Sequence, residues 1–352
     1  MIVGVKHMKN WNTFFRKNKN RTYAVIVAAT LLVAATFLSI SIGVADLSLT
    51  QIIKAIREGA NSGFEGNIFW YVRLPRTVAC ILAGAGLAVS GVIIQGVLAN
   101  RLASPGIIGV NAGAGFAVVL CCALGTIYGF AIGGWTVTIS AFFGAFFTMI
   151  LVVVMAEKTG ASRRTVILSG IAANSFLNAG SEALITLMPE LAIINSDFRT
   201  GGFTTVTLQR LFPAGILIVI ALVITFTLHN ELDILNLGEE TAQGLGLSAK
   251  EMRTLFLVLS TILAGASVSF SGLLGFVGLI IPHIARRMIG DENRYLLVFC
   301  AFFGAAFVTF SDLVARMAFQ PYELPVGILM SFIGGPFFIF LLLNRKAGNS
   351  YD

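Results

Sequence analysis

Long stretches without charged residues dominate this chain and predict its fold. Six of them lack Asp, Glu, Lys and Arg altogether: residues 23–45, 77–100, 102–156, 211–230, 254–285 and 324–344. A helix needs about 20 apolar residues to span a bilayer, so several stretches qualify on length alone. We therefore predict an all-α, polytopic membrane protein rather than a soluble domain.

The two longest stretches are too long to be single spans. A single helix over 102–156 would be roughly 80 Å long, against a hydrocarbon core of about 30 Å. Four glycines within 125–134 mark the expected turn. Glycines also interrupt 254–285, which we interpret as one full helix followed by a short helix near 275–289.

About ten spans result, and the basic residues orient them. The predicted spans are 23–45, 77–99, 104–124, 132–155, 165–187, 211–229, 254–270, 275–289, 295–315 and 325–343. With both termini cytoplasmic, 17 of the 24 Lys and Arg residues lie on the cytoplasmic side, as the positive-inside rule requires. Residues 1–22 form a basic cytoplasmic tail, 23–343 the ten-helix transmembrane domain, and 344–352 a second cytoplasmic tail. The 23 residues of the first stretch are too long for a secretory signal, so it is predicted to be retained.

Composition and motifs exclude several classes of function. Only 12% of residues are charged, against about 25% in soluble domains. No basic stripe is interleaved with aromatic residues, so nucleic-acid binding is not indicated. There is no G-x-x-x-x-G-K-[ST] sequence, no Ser/His/Asp arrangement and no metal-ligand spacing of cysteines. We predict no catalytic residues, no metal site and no ATPase site in this chain.

Charged residues near the predicted outer ends of spans have two interpretations. Arg73 and Arg76 either reach lipid headgroups or pair with carboxylates of a docking partner, and the residues alone favour headgroups. Asp312 precedes Arg316 by four positions, which predicts an i,i+4 ion pair. Asn174, Asn178 and Glu182 form a polar stripe that faces either a water-filled path or another helix.

The loop 230–253 is the longest predicted cytoplasmic connection. Four of its residues share one helical face: Leu237, Thr241, Ala242 and Leu245. Gly246 follows and is expected to end the helix. Glu239 and Glu240 argue against contact with anionic lipid. A short amphipathic helix that docks into a groove of a cytoplasmic protein is the better interpretation. His283, at the end of the short eighth span, is predicted to be structural rather than a ligand or proton relay.

Five segments of the chain resemble one known family. They are RLPR at 73–76, SGVIIQGVLANRLASPGIIGVNAGA at 90–114, LGEETAQGLGL at 237–247, GFVGLIIPHIARRMIG at 275–290 and DLVARMAFQPYELPVGI at 312–328. In this order and spacing the chain resembles the FecCD-type permeases of bacterial ABC importers, which carry iron–siderophores, haem or cobalamin. The resemblance covers about residues 23–343.

The resemblance implies an assembly as well as a fold. It implies a ten-helix type II importer permease in the bacterial cytoplasmic membrane that pairs with an identical or paralogous permease. Two cytoplasmic ATPase subunits would bind the pair, and an extracytoplasmic binding protein would deliver a metal chelate. The chain would bind no cofactor directly, and ATP and Mg would act through the ATPase subunits.

The resemblance also implies roles for single residues. It assigns Arg73, Arg76 and Arg316 to docking of the binding protein, which reverses the preference for headgroups. Coupling to the ATPase falls to Leu237, Gly238, Glu239, Glu240, Ala242, Leu245, Gly246 and Leu247. The cytoplasmic gate falls to Asn100, Leu102, Ser162 and Arg163, although the loop 161–164 is more basic than the family pattern. Residues 199–202 also depart from that pattern, so the outer loop 189–209 is not predicted by analogy.

The predicted function is ATP-driven import of an iron–siderophore or related metal chelate by alternating access. Permeases for haem or cobalamin are alternatives within the same family. A proton- or sodium-driven carrier that uses Glu182 and Asp312 is a more distant one, and a non-transport membrane scaffold is another. The loop 236–247 distinguishes them, because a secondary carrier has no need of it.

Overall fold

The structure, a computed structural model, describes residues 2–43, 47–61, 63–158, 163–320 and 322–344. Within these ranges the chain is helical and contains no strand. The first helices are α1 (Ile2–Ser41), α2 (Leu49–Glu58), α3 (Phe64–Ile68), α4 (Leu74–Val97), α5 (Val110–Tyr128), α6 (Gly134–Lys158) and α7 (Arg163–Leu187). The others are α8 (Leu191–Thr200), α9 (Leu208–Thr227), α10 (His229–Asn236), α11 (Glu239–Gly244), α12 (Ala249–Ser271), α13 (Val277–Ile289), α14 (Asn293–Met317) and α15 (Val326–Asn344).

Each of the ten predicted spans coincides with a helix. By length and composition, however, fewer than ten of these helices could cross a membrane, so the predicted count is slightly off. Seven helical segments of the described residues are long and apolar enough to cross a membrane. Of the other three, α13 has 13 residues and the apolar part of α15 runs from Val326 to Leu341. The third, α7, has 25 residues but carries the polar stripe, which lowers its hydropathy.

Two helices, α4 and α12, form the centre of the bundle. They are 83% and 78% buried over their apolar windows, whereas α1 is 17% buried. Close backbone contacts explain this position: a Cβ atom at Gly84 would collide with the Gly304 carbonyl, and one at Gly91 with the Gly278 carbonyl. Small residues of this kind allow helices to approach closely in lipid. α4 thereby packs against both α14 and α13.

Helix boundaries differ from prediction where backbone geometry intervenes. The second span begins at Phe64 rather than 77, because a π-turn over Phe69–Arg73 joins α3 to α4 ahead of Pro75. The third begins at Val110 rather than 104, after a 3₁₀ turn at Pro105–Ile108 and a left-handed Gly109 (φ 91°). The turn predicted by glycines at 125–134 is confirmed, as is the division of 254–285.

Three helices outside the predicted spans and the predicted coupling helix were missed: α2, α8 and α10. α2 begins with a capping box between Ser48 and Gln51 and buries Ile52 and Ala55 in a small separate core with Phe69. α8 lies in the outer loop 189–209, for which analogy made no prediction. The described backbone of α1 is continuous with the predicted N-terminal tail, and the domain limits stay a prediction.

Candidate docking, gate and coupling sites

The three predicted docking arginines lie together at one end of α4 and α14, but they are not exposed. Arg73, Arg76 and Arg316 are 5%, 6% and 4% exposed. Arg76 donates to both carboxylate oxygens of Asp312, at 2.9 and 3.0 Å, and to Glu323 at 2.7 Å. Bidentate, charge-assisted bonds of this kind are among the strongest that side chains make. We call these five residues the arginine cluster.

One expectation about the arginine cluster is therefore wrong, namely the i,i+4 ion pair between Asp312 and Arg316. Asp312 pairs with Arg76 on α4 rather than with Arg316 four residues later, because Arg316 extends to the Ser39 carbonyl of α1. Arg73 likewise donates to the Ile42 carbonyl. These side chains lie inside the bundle rather than on its rim, and their role in docking stays a prediction.

The predicted gate turn lies at the opposite end of α4. Asn100 and Leu102 are half-buried, and the Asn100 Oδ1 accepts the Leu102 backbone N–H at 2.9 Å. Between them, Arg101 contacts Asp291 at 3.2 Å, and Asp291 also pairs with Arg286 of α13 at 3.3 Å. The turn is thus joined to the end of α13. Ser162 lies outside the described residues, and of Arg163 only the backbone is described.

The predicted polar stripe of α7 divides between two environments. Asn174 is half-buried and donates to the Gly106 carbonyl at 3.0 Å, so it holds α7 against the 3₁₀ turn. Asn178 and Glu182 are exposed, and Glu182 pairs with Arg199 of α8 at 3.2 Å. Asn174 therefore has a structural contact, whereas Asn178 and Glu182 lie on the surface of the chain.

A cavity of about 520 Å³ borders this exposed region and was not predicted. It is lined from four separate segments by Asn111, Arg199, Thr200, Leu273, Gly275, Gly327, Ile328, Ser331 and Phe332. Its lining mixes apolar groups with a cation, hydroxyls and an amide. Sequence reasoning had only one signal for it, the presence of Arg199 among the few basic residues of the predicted outer segments.

Residues 237–247, here called the coupling segment, form a short projection between α10 and α12. Gly238 (φ 109°) and Gly246 (φ 82°) flank α11. Their backbone conformations are ones that residues with a side chain rarely adopt. Ala242 is fully buried, and Glu239 pairs with Arg253 of α12. The predicted helix is thus confirmed, but its predicted apolar face is divided. Leu237 and Leu245 are 65% and 62% exposed while Ala242 faces the protein.

An unpredicted contact links α10 to the bundle. Asp233 accepts the Asn293 side-chain amide at 2.8 Å and its backbone N–H at 3.2 Å, at the start of α14. Burial raises the pKa of Asp233 above its ordinary value, and the two bonds from Asn293 oppose that shift. This contact holds α10, which precedes the coupling segment, against the start of α14.

Comparisons with known proteins agree on one relationship. The profile described as the FecCD transport family matches residues 31–344. The Fe(3+)-citrate import permease YfmE of Bacillus subtilis is 34% identical over 330 residues, covering 93% of this chain and 96% of the relative. The hemin permease HmuU of Yersinia pestis is 32% identical, covering 81% and 85%. A solved chain described as an inward-facing metal-chelate type ABC transporter has a TM-score of 0.80 at 30% identity, covering 91% and 98%.

Proposed function

Because the chain belongs to the FecCD transport family, as a multi-pass permease subunit of an ABC importer, we propose that its cargo is a ferric chelate of the siderophore class. Relatives include permeases for Fe(3+)-citrate, for ferric hydroxamates and for hemin. The observation that supports a chelate is the 520 Å³ cavity, whose lining combines hydroxyl and amide groups with Arg199, which an anionic ligand would share with Glu182. A permease for haem or cobalamin is the alternative.

The proposed assembly contains two permeases, two ATPase subunits and an extracytoplasmic binding protein. ATP and Mg would bind the ATPase subunits, so this chain contributes the pathway and the mechanical coupling. Both termini are proposed to be cytoplasmic. This orientation places the arginine cluster at the extracytoplasmic end of the bundle and the coupling segment at its cytoplasmic end. Exposed Leu237 and Leu245 support contact with an ATPase groove, since large apolar side chains outside a bilayer favour a protein partner.

Docking on the arginine cluster requires a rearrangement in this proposal. Arg76 is already paired with Asp312 and with the partly exposed Glu323. A carboxylate of the binding protein would displace Glu323, while Asp312 keeps Arg76 inside the bundle. Glu323→Gln should then strengthen docking, and Arg76→Glu should weaken it.

Transport in reconstituted vesicles tests the function. We expect ATP-dependent uptake of a ferric siderophore when the binding protein and ATPase subunits are present, and no uptake when ATP is replaced by a proton gradient. Parallel assays with ferric citrate, a ferric hydroxamate and hemin would identify the cargo. Uptake driven by protons or sodium without ATP would contradict the proposal. The arginine partners of Glu182 and Asp312 also disfavour such a carrier.

A further inference from the structure

A groove between α1, α14 and the junction of α9 with α10 lies apart from the docking, gate and coupling sites. Its volume is about 340 Å³. Its apolar walls are formed by Val25, Phe226, Leu297 and Val298. The end of the groove lined by Thr22, His229 and Arg294 is here called its mouth. Pockets that bind small molecules commonly measure about 300–1,000 Å³, so the groove has room for part of an elongated ligand.

The groove lies at the depth of a membrane interface. Its mouth residues come within two residues of the ends of three apolar spans, which begin at Asn20 and Asn293 and end at Thr227. Its wall residues lie up to about one helical turn farther into those spans. Beside it, Tyr23, Ile26 and Val27 of α1 are each more than half exposed, as expected of a surface in contact with lipid. The groove therefore opens toward acyl chains at its inner end and toward headgroups at its mouth.

Charge at the mouth selects the ligand. Arg294 is exposed and makes no ion pair among the described residues, and its guanidinium lies 5.8 Å from the centre of the Tyr295 ring. Arg21 lies 5.5 Å from the same ring and pairs with Glu292, and Asp233 is close enough to His229 for their charges to interact. The His229 Nδ1 donates to the Phe226 carbonyl at 2.9 Å, which fixes its ring beside the mouth. No carboxylate lines the groove.

We propose that this groove binds an anionic phospholipid, with the phosphate at Arg294 and one acyl chain between Val25, Leu297 and Val298. Basic pockets between membrane-spanning helices suit such headgroups. The ligand would lie against α1, α9 and α14 together. This inference does not depend on the transported cargo.

Lipid retention by the purified, delipidated chain in a neutral detergent tests the proposal. The probes are palmitoyl-oleoyl phosphatidylglycerol, phosphatidylcholine with the same chains, and inorganic phosphate, with bound lipid measured by native mass spectrometry. We expect about fivefold tighter binding of phosphatidylglycerol than phosphatidylcholine, because one basic side chain contributes about that factor near a membrane surface. Arg294→Gln should abolish this preference, and Val298→Phe should reduce binding of both lipids.

The matched control is Arg287→Gln, an exposed arginine on α13 outside the groove, and it should leave the preference unchanged. Equal retention of the two lipids by the unaltered chain would overturn the proposal, as would equal losses in the two glutamine variants. If inorganic phosphate displaces phosphatidylglycerol, the site takes free anions and the lipid assignment is wrong. Should Arg294→Gln fail to fold, Arg294→Lys keeps the charge and must retain the preference, while Val298→Phe must still lose binding.

Discussion

The arginine cluster and the coupling segment lie at opposite ends of α4 and α14, and they differ in what they expose. In the arginine cluster the side chains of Arg76 and Asp312 are 8% and 1% exposed, and their charges compensate each other inside the bundle. In the coupling segment the apolar Leu237 and Leu245 are exposed, while the charged Glu239 holds α11 to α12. One end thus joins helices to one another, and the other presents apolar groups to a partner.

This difference predicts opposite consequences of substitution. A change in the arginine cluster should act mainly on the stability of the bundle, because it leaves a buried charge without its partner. A change in the coupling segment should act mainly on assembly, because its exposed leucines contribute little to the fold. Four experiments test this contrast, and they are given in order of decreasing expected effect.

Asp312→Ala should have the largest effect. It leaves Arg76 buried without its bidentate partner, which costs about 3–5 kcal/mol when one member of a buried pair is removed. Thermal unfolding of the purified protein measures the loss. Replacing both residues, as Arg76→Met with Asp312→Leu, should restore most of the stability.

The control is Glu182→Ala, which breaks an exposed pair and should cost about 0–1 kcal/mol. A loss of stability as large as that of Asp312→Ala would contradict the distinction between buried and exposed pairs.

The combined variant Leu237→Ser and Leu245→Ser should reduce assembly without unfolding. We expect a change in stability within about 0.5 kcal/mol, because both side chains are mostly exposed. Binding to the ATPase subunit should fall about tenfold or more, since central interface residues typically contribute over 1 kcal/mol each. Met288→Ser, another exposed apolar residue at this end of the bundle, is the control for nonspecific effects. Unchanged ATPase binding would remove the coupling assignment.

Gly246→Ala tests the backbone of the coupling segment. At φ 82° an alanine costs about 1–2 kcal/mol, although no atom lies within 4 Å of the new Cβ position. Gly244→Ala is a matched control, because Gly244 is helical and equally open, and there alanine should be neutral or stabilising. Thermal stability and ATPase activity stimulated by transport provide the readouts. Equal behaviour of the two variants would mean that conformation at Gly246 is unimportant.

Arg101→Gln should have the smallest effect on stability, about 0–1 kcal/mol. Its pair with Asp291 is exposed, with side chains 67% and 61% accessible. If the gate turn must separate from α13 during transport, this variant should leak cargo without ATP while Arg101→Lys does not. Leakage is measured as efflux from loaded vesicles. If both variants release cargo at the rate of the unaltered chain, the Arg101 contact has no part in gating.

Much of the helical order followed from local pattern. Apolar stretches located a helix for each of the ten predicted spans, and the glycines at 125–134 located a turn, because both signals act within a few neighbouring residues. The helix of the coupling segment was equally readable from four apolar or small positions and a terminal glycine. Asp312 was misassigned because the i,i+4 rule considers only one helix, whereas Arg76 approaches it from another.

Hydrophobicity and spacing are properties of consecutive residues, so the sequence alone specifies the membrane class, the order of the helices and the motifs of one family. Which distant residues meet is a property of the folded bundle. The burial of the arginine cluster depends on close packing of α4 against α14, and the cavity near Arg199 draws its lining from four segments. The groove at Arg294 likewise exists only where α1, α9 and α14 converge. Such contacts depend on how helices pack across the whole bundle, which no local pattern encodes.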